Sequence, residues 1–410
     1  MTFIKNLLIF FSLSITFPIF SNVRVGLDVF FDEGYVKKIH GKNIAIITNH
    51  TGVDGLLKTT IEKFKDNEDK YKIIALFSPE HGINGSAYAF ESVDDSIDKN
   101  KIPIYSLHGK TRRPTDKMLT NIDVLIYDIQ CIGSRSYTYI TTLFYVMEEA
   151  SKKKIKVIIL DRPNPLGGVI VDGPLLDENL RSFIGYINVP YCHGMTVGEL
   201  GRYFNEEYKI GCDLDVIPMK GWKREMSFAD TKLHWVPPSP HIPEPDTPFF
   251  YPSTGILGEL QLLSIGVGYT LPFKVIGAPW IDSEKLASML NMQKLPGVYF
   301  MPFSFKPFYG MYKGKDCHGV KIQITDQKKY RPIAVQFLIL GILKSLYPKK
   351  FAKSFEGLNK TLFSKAVGST KILEILEKEK YAAWKMIEYQ AKEIEDFKKK
   401  RKKYLIEDYN

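Results

Sequence analysis

Five short apolar runs, at residues 43–48, 73–77, 102–107, 124–129 and 156–160, constrain this chain more than any other feature. The run at 73–77, IIALF, has no polar position and therefore no solvent side, so it reads as a strand buried on both faces. Helical patterns separate the runs. Strands of five or six residues alternating with helices build βαβ units, and hence an α/β fold with a mostly parallel, doubly wound sheet.

Such sheets bind ligands outside the carboxyl ends of their strands, and polar residues collect at those ends here. Asn49 and His50 follow the first run, and Glu80 and His81 follow the second. Asp128 closes the fourth, with Arg135 in the loop behind it, while Asp161, Arg162 and Asn164 follow the fifth. These four clusters are expected to share one crevice, with Tyr137 and Tyr139 adding rings of the kind that stack on sugars or bases. His193 precedes a helix that Thr196 and Glu199 open as a capping box. It either faces the crevice or packs the cap.

Glu80 is the first choice for catalysis. Pro79 and Gly82 place it and His81 on a turn at the strand end. A carboxyl group held out of water at such a rim keeps its proton to higher pH, as a general acid requires. The alternative is a solvated loop glutamate beside a capping histidine. No GxGxxG or Walker pattern supports a nucleotide, no HExxH spacing supports a metal enzyme, and GSRS does not match a GxSxG elbow. No cofactor or metal is expected.

A chain of 410 residues predicts two domains. The βα alternation loosens near 206–211, which places a Rossmann-like domain at 22–207 and a smaller α+β domain at 208–410, opened by a strand at 214–218. Residues 1–21 have one early lysine, an apolar core and a small residue near Ser21, the pattern of a signal peptide. An exported protein, periplasmic or extracellular, with no membrane span after the leader, is expected. Seven prolines between Pro237 and Pro252 argue against helix and central strand there. They predict a stiff, ordered loop that carries His241, Glu244 and Asp246 as a wall against the crevice. Residues 257–268 and the surroundings of Trp280 read as helix and loop, 320–325 as a strand, 332–345 and most of 370–405 as helix. Cys131, Cys192, Cys212 and Cys317 form no CxxC pair and read as buried thiols, with a Cys192–Cys212 disulfide as the alternative in an oxidising compartment. Part of the net charge of +10 sits in KKKRKK at 398–403, either a solvated helix end or a patch for an anionic polymer.

Several long motifs occur in one order: NHTG, SPEHG, DIQ followed by GxRxYTY, LDRPNP with GG, HGMTVGEL, WVPPSP followed by PxPDT, and IGAPWID. In this the chain resembles the NamZ-type exo-β-N-acetylmuramidases across nearly its whole mature length. The resemblance implies a Rossmann-like domain, a smaller carboxyl-terminal domain and an active site in the cleft between them. It also implies removal of N-acetylmuramic acid from the non-reducing end of peptidoglycan fragments. The partners would be peptidoglycan-derived saccharides and not nucleic acid. The glutamate of SPEHG, the family's proposed catalytic residue, is matched by Glu80. Asp128, Asp161 and Asp246 are candidates for a second catalytic group, Arg135 and Arg162 for holding the lactyl carboxylate, and Tyr137 and Tyr139 for the ring. Asn49, His50, Asn164, His193 and Glu244 are further binding candidates, and His81 stands beside the acid. One departure matters. Where typical members read EGTNLSEGRGTTRPF, residues 259–273 begin with Glu259 but place Leu262, Ile265, Val267 and Leu271 at the asparagine, the second glutamate and both arginines. Losing two guanidinium groups weakens a carboxylate grip. A sugar-binding protein without turnover, or with altered specificity, is the alternative.

Overall fold

The computed structural model describes residues 23–89 and 91–410, so the leader expected at 1–21 lies outside the described residues. Strands β1 (Asn43–Thr48), β2 (Lys72–Ser78), β3 (Ser96–Ile97), β4 (Pro103–Ser106), β5 (Val124–Asp128), β6 (Lys156–Leu160) and β7 (Leu214–Ile217) form one sheet, in the order β3-β4-β2-β1-β5-β6-β7. Every adjacent pair is parallel except β3 with β4. From β1 the chain moves outward through β2 to β4, then returns to β5 on the other side and moves outward again. The direction reverses between β1 and β5, as in a doubly wound sheet.

The two-residue period of β1 sends alternate side chains to opposite faces. Ile44 and Ile46 pack with Leu27 and Phe30 of α1 (Gly26–Asp32) and Phe64 of α2 (Thr60–Lys65). Ala45 and Ile47 join the cluster that holds Leu143 and Phe144 of α3 (Tyr139–Lys153) and Leu200 of α4 (Val197–Glu207). Thr196 and Glu199 close the expected capping box on α4. That helix is one more crossover: β7 pairs in parallel with β6, from Val157 with Leu214 to Leu160 with Ile217. The strand expected to open the second domain therefore completes the first sheet, and the sheet runs past residue 207.

The second part holds α5 (Thr247–Gly258), β8 (Val275–Ala278), α6 (Ser283–Asn291), β9 (Val298–Phe305), β10 (Cys317–Ile324) and α7 (Pro332–Leu346), with an antiparallel sheet ordered β8-β10-β9. The proline-rich stretch becomes helical after all at Thr247, because Pro248 sits in the first turn, where a missing N–H costs nothing. Two strands of this second sheet were not legible. β8 is four residues long and contains Gly277, and β9 carries Pro302 inside it, which a sheet tolerates because β9 is an edge strand.

A carboxyl-terminal helix, Ala382–Arg401, packs against α7 and returns the chain to the first domain. There the basic run is partly structural: Arg401 is buried and donates to the carbonyls of Gly168 (3.0 Å), His193 (3.2 Å) and Gly194, while Lys400 and Lys403 pair with Glu207 and Glu206. All four cysteines are buried free thiols, so Cys192 and Cys212 are not bridged. Among the described residues no helix is long and apolar enough to cross a membrane.

Candidate active site

β2 ends at Ser78, and the chain turns at once: the Gly82 N–H donates to the Pro79 carbonyl at 3.0 Å, with His81 and Gly82 at φ of 70° and 76°, both left-handed. A left-handed non-glycine residue is strained backbone, of the kind that gathers at functional sites. This turn aims Glu80 into a cavity between the two domains while leaving it only 6% exposed. Thr138 Oγ1, at the N-cap of α3, donates to Glu80 Oε2 at 2.6 Å, and His108 Nε2 stands 3.6 Å from Oε1. His81 Nδ1 lies 2.7 Å from the Ala87 carbonyl. A carbonyl only accepts, so Nδ1 carries the hydrogen.

The cavity has a volume of 140 Å³. Apolar cavities of about 150 Å³ hold one benzene ring, so this space suits a single six-membered ring rather than a run of chain. The first domain contributes Glu80, His81 and Tyr137, and the second contributes Tyr251, Glu259 and Phe273. Tyr251, Gly255 and Glu259 are spaced by four, which puts them on one face of α5 and its C-cap. The proline-rich wall closes a third side with Ser239 and His241. It is tied down by His50 Nε2 at 2.7 Å from the Pro237 carbonyl and by the Tyr139 hydroxyl donating to the Pro238 carbonyl at 2.6 Å. Glycine is required opposite His50, since a Cβ on Gly85 would stand 1.9 Å from the imidazole. Burial pushes the pKa of His50, His108 and His241 below the usual histidine range, so these rings are neutral at pH 7.

The expected single crevice divides, because three of the four strand ends are sealed by their own partners. Asp128 is 0% exposed and is held bidentately by Arg162, with Nη2 at 2.8 Å, and by the Thr60 hydroxyl. It does not line the cavity. Arg162 is spent on that pair and on the Val53 carbonyl. Asn49 accepts from the Thr51 N–H at 3.0 Å and from its hydroxyl at 2.6 Å. Asp161 accepts from the Gly198 N–H (2.8 Å), the Thr196 hydroxyl (2.7 Å) and the Tyr409 hydroxyl (2.8 Å); burial pushes its pKa up to about 6 against those donors. Asn164 bonds the Leu166 N–H and the Met195 carbonyl.

Arg135 is likewise not a carboxylate clamp. It is 1% exposed and donates to the carbonyls of Pro174 (2.8 Å), Val189 (2.8 Å) and Val367 (2.7 Å), tying the two domains together. Burial pushes its pKa down to about 10. His193 packs the cap: its Nδ1 accepts the Met195 N–H at 3.2 Å, and burial, aided by Arg401 and Arg135, pushes its pKa down to about 3. Glu244 and Asp246 pair with Lys274, and Asp246 borders a separate groove of 810 Å³ beside Phe249 and Thr325. Of the expected residues, the structure gathers Glu80, His81, Tyr137 and His241 at the cavity, with Tyr139 and His50 bracing its wall.

Sequence reasoning passed over Thr138, His108, Tyr251 and Glu259. The eight-residue spacing of Tyr251 and Glu259, two helical turns, could be read as one face only once α5 was known to be a helix. The apolar replacements at 262, 265, 267 and 271 pack into hydrophobic clusters, and from 259–273 only Glu259 and Phe273 line the cavity. Among the described residues no lysine or arginine lines it, and no group of three or more His, Cys, Asp or Glu side chains could hold a metal ion.

Two family models cover the chain: "Exo-beta-N-acetylmuramidase NamZ, N-terminal" matches residues 44–246, and "Exo-beta-N-acetylmuramidase NamZ, C-terminal" matches residues 249–406. The chain is 42% identical, over 94% of its length and 91% of the relative's, to the peptidoglycan β-N-acetylmuramidase NamZ of Bacillus subtilis. Two crystal structures of DUF1343 family proteins from Bacteroides fragilis share the fold. One has a TM-score of 0.88 at 40% identity and the other 0.75 at 29%, each covering 94% of this chain and 99% of the other.

Proposed function

This chain belongs to the NamZ family of exo-β-N-acetylmuramidases, and we propose that it removes N-acetylmuramic acid from the non-reducing end of peptidoglycan fragments, with Glu80 as general acid/base. It is a glycoside hydrolase. The observation that carries the residue assignment is the placement of Glu80, a nearly buried carboxyl group at the rim of a one-ring cavity between the domains. Glu80 gives its proton to the glycosidic oxygen as that bond breaks. Thr138, donating to Oε2, holds the group in place. Tyr137 and Tyr251, edge to face with ring centroids 6.0 Å apart, line the space for the sugar ring.

Arg135 and Arg162 are engaged elsewhere, so the lactyl carboxylate falls to Arg112. This side chain is exposed, lies 4.0 Å over the Phe183 ring, and forms no ion pair among the described residues. Phe183 packs 5.8 Å from His108, beside Glu80. Through the leader at 1–21 the enzyme acts outside the cytoplasm, in cell-wall turnover and recycling.

The test compares a chromogenic β-glycoside of N-acetylmuramic acid with its N-acetylglucosamine analogue. The wild type is expected to release chromophore from the muramic glycoside, and Glu80→Gln to release almost none at an unchanged melting temperature. A second reading, a cell-wall sugar-binding protein on the same scaffold, is favoured by the absence of any lysine or arginine among the described residues lining the cavity. Saturable binding by the wild type without release from either glycoside would establish it.

A further inference from the structure

Glu259 enters the cavity from the second domain, facing the space that Glu80 faces from the first. It is half-buried, and among the described residues its carboxyl group makes no hydrogen bond or ion pair. An ionisable group withdrawn from water without a protein partner is costly, and a site that keeps one has a use for it in a ligand. The other carboxylates the sequence offered are spoken for: Asp128 by Arg162, Asp161 by Thr196 and Tyr409, Asp246 by Lys274. Glu259 is also the only carboxylate in 259–273. Tyr251, two helical turns back on the same face, lies within electrostatic reach of both Glu80 and Glu259, and so the two carboxylates border one small space.

We infer that Glu259 is the second catalytic carboxylate, the base that takes a proton from the attacking water. The assignment rests on the glycosidase reading above. In the step, the water oxygen bonds to C1 as the bond from C1 to the glycosidic oxygen breaks. The water proton passes to Glu259, and the Glu80 proton passes to the leaving oxygen. Exchange with solvent then restores both groups. Burial raises the pKa of Glu259, which makes it a stronger proton acceptor than an exposed carboxylate. The titratable groups that share the cavity with it are Glu80, His81, His241, Tyr137, Tyr191 and Tyr251.

The experiment uses the full chain and the chromogenic muramic glycoside. E259Q is expected to lower kcat about a hundredfold or more at little change in KM. E259A is expected to regain turnover with added azide, releasing a glycosyl azide, and to lose the acid-side limb of the kcat profile. A purely structural role would lower the melting temperature and give no azide rescue. If the wild type turns the glycoside over and E259Q stays within tenfold of its kcat, the assignment is overturned alone. If the wild type turns over no glycoside, the glycosidase reading fails and the assignment falls with it. Should E259Q not fold, E259A decides: azide rescue upholds the assignment, and turnover within tenfold of the wild type without azide overturns it.

Discussion

β2 and β5 flank the same strand of one sheet, and each delivers a carboxylate to its carboxyl end, but the two ends have opposite fates. At β5, Asp128 is met by a guanidinium and a hydroxyl and sealed from solvent. At β2, Glu80 is hydrogen-bonded by Thr138 and yet borders a cavity. A carboxylate locked to arginine serves the fold. One that faces a cavity can exchange a proton with whatever enters. An acidic residue at a strand end is therefore not evidence of chemistry until its partners are known.

The sharpest way to break this contrast is to neutralise both groups. Glu80→Gln should lower kcat by about 10²–10⁴-fold, the usual contribution of general acid catalysis, with the melting curve unchanged. Asp128→Ala should do the reverse. It strands Arg162 and should cost about 3–5 kcal/mol in urea unfolding, with kcat per folded molecule near that of the wild type. If Asp128→Ala folds normally and is inactive, the division of roles drawn between the two strand ends is wrong.

Smaller effects sharpen it. Arg112→Ala should raise KM for the muramic glycoside about tenfold or more and leave the glucosamine analogue alone, since a hydrogen bond to a charged group is worth about 1.5–3 kcal/mol. Equal effects on both sugars would remove Arg112 from carboxylate recognition. His193 tests the sealed side by pH. Its folded pKa is lowered to about 3, so below about 6.5 the unfolded chain takes a proton that the folded chain refuses. Its contribution is present above pH 6.5 and is lost as pH falls toward 3, at up to about 1.4 kcal/mol per unit. Urea unfolding of His193→Gln at pH 7 and pH 4 should show a smaller loss on acidification than the wild type does.

Much of the fold was legible because its signals are local. Unbroken apolar runs marked β1, β2, β5 and β6, and Thr196 with Glu199 marked the start of α4. The placement of β7 was not legible, since it depends on which neighbour a short, half-buried strand finds. β9 hid behind Pro302, and α5 behind Pro248, whose cost vanishes in a first turn, and Pro252, which lies inside the helix. The position of Glu80 and Tyr137 at the cavity was legible because turn and motif lie close in sequence, while the carbonyl and carboxylate partners of Arg135 and Arg162 were not, because they lie far away in the chain.

By itself the amino-acid order determined a parallel sheet, the family, and a glutamate at a strand's rim, because periodicity, capping and motif order are written within a few residues of one another. Which strand ends close and which stays open was decided only by tertiary structure. That choice depends on whether a guanidinium from one crossover reaches a carboxylate from another, and on a helix face of the second domain arriving opposite Glu80.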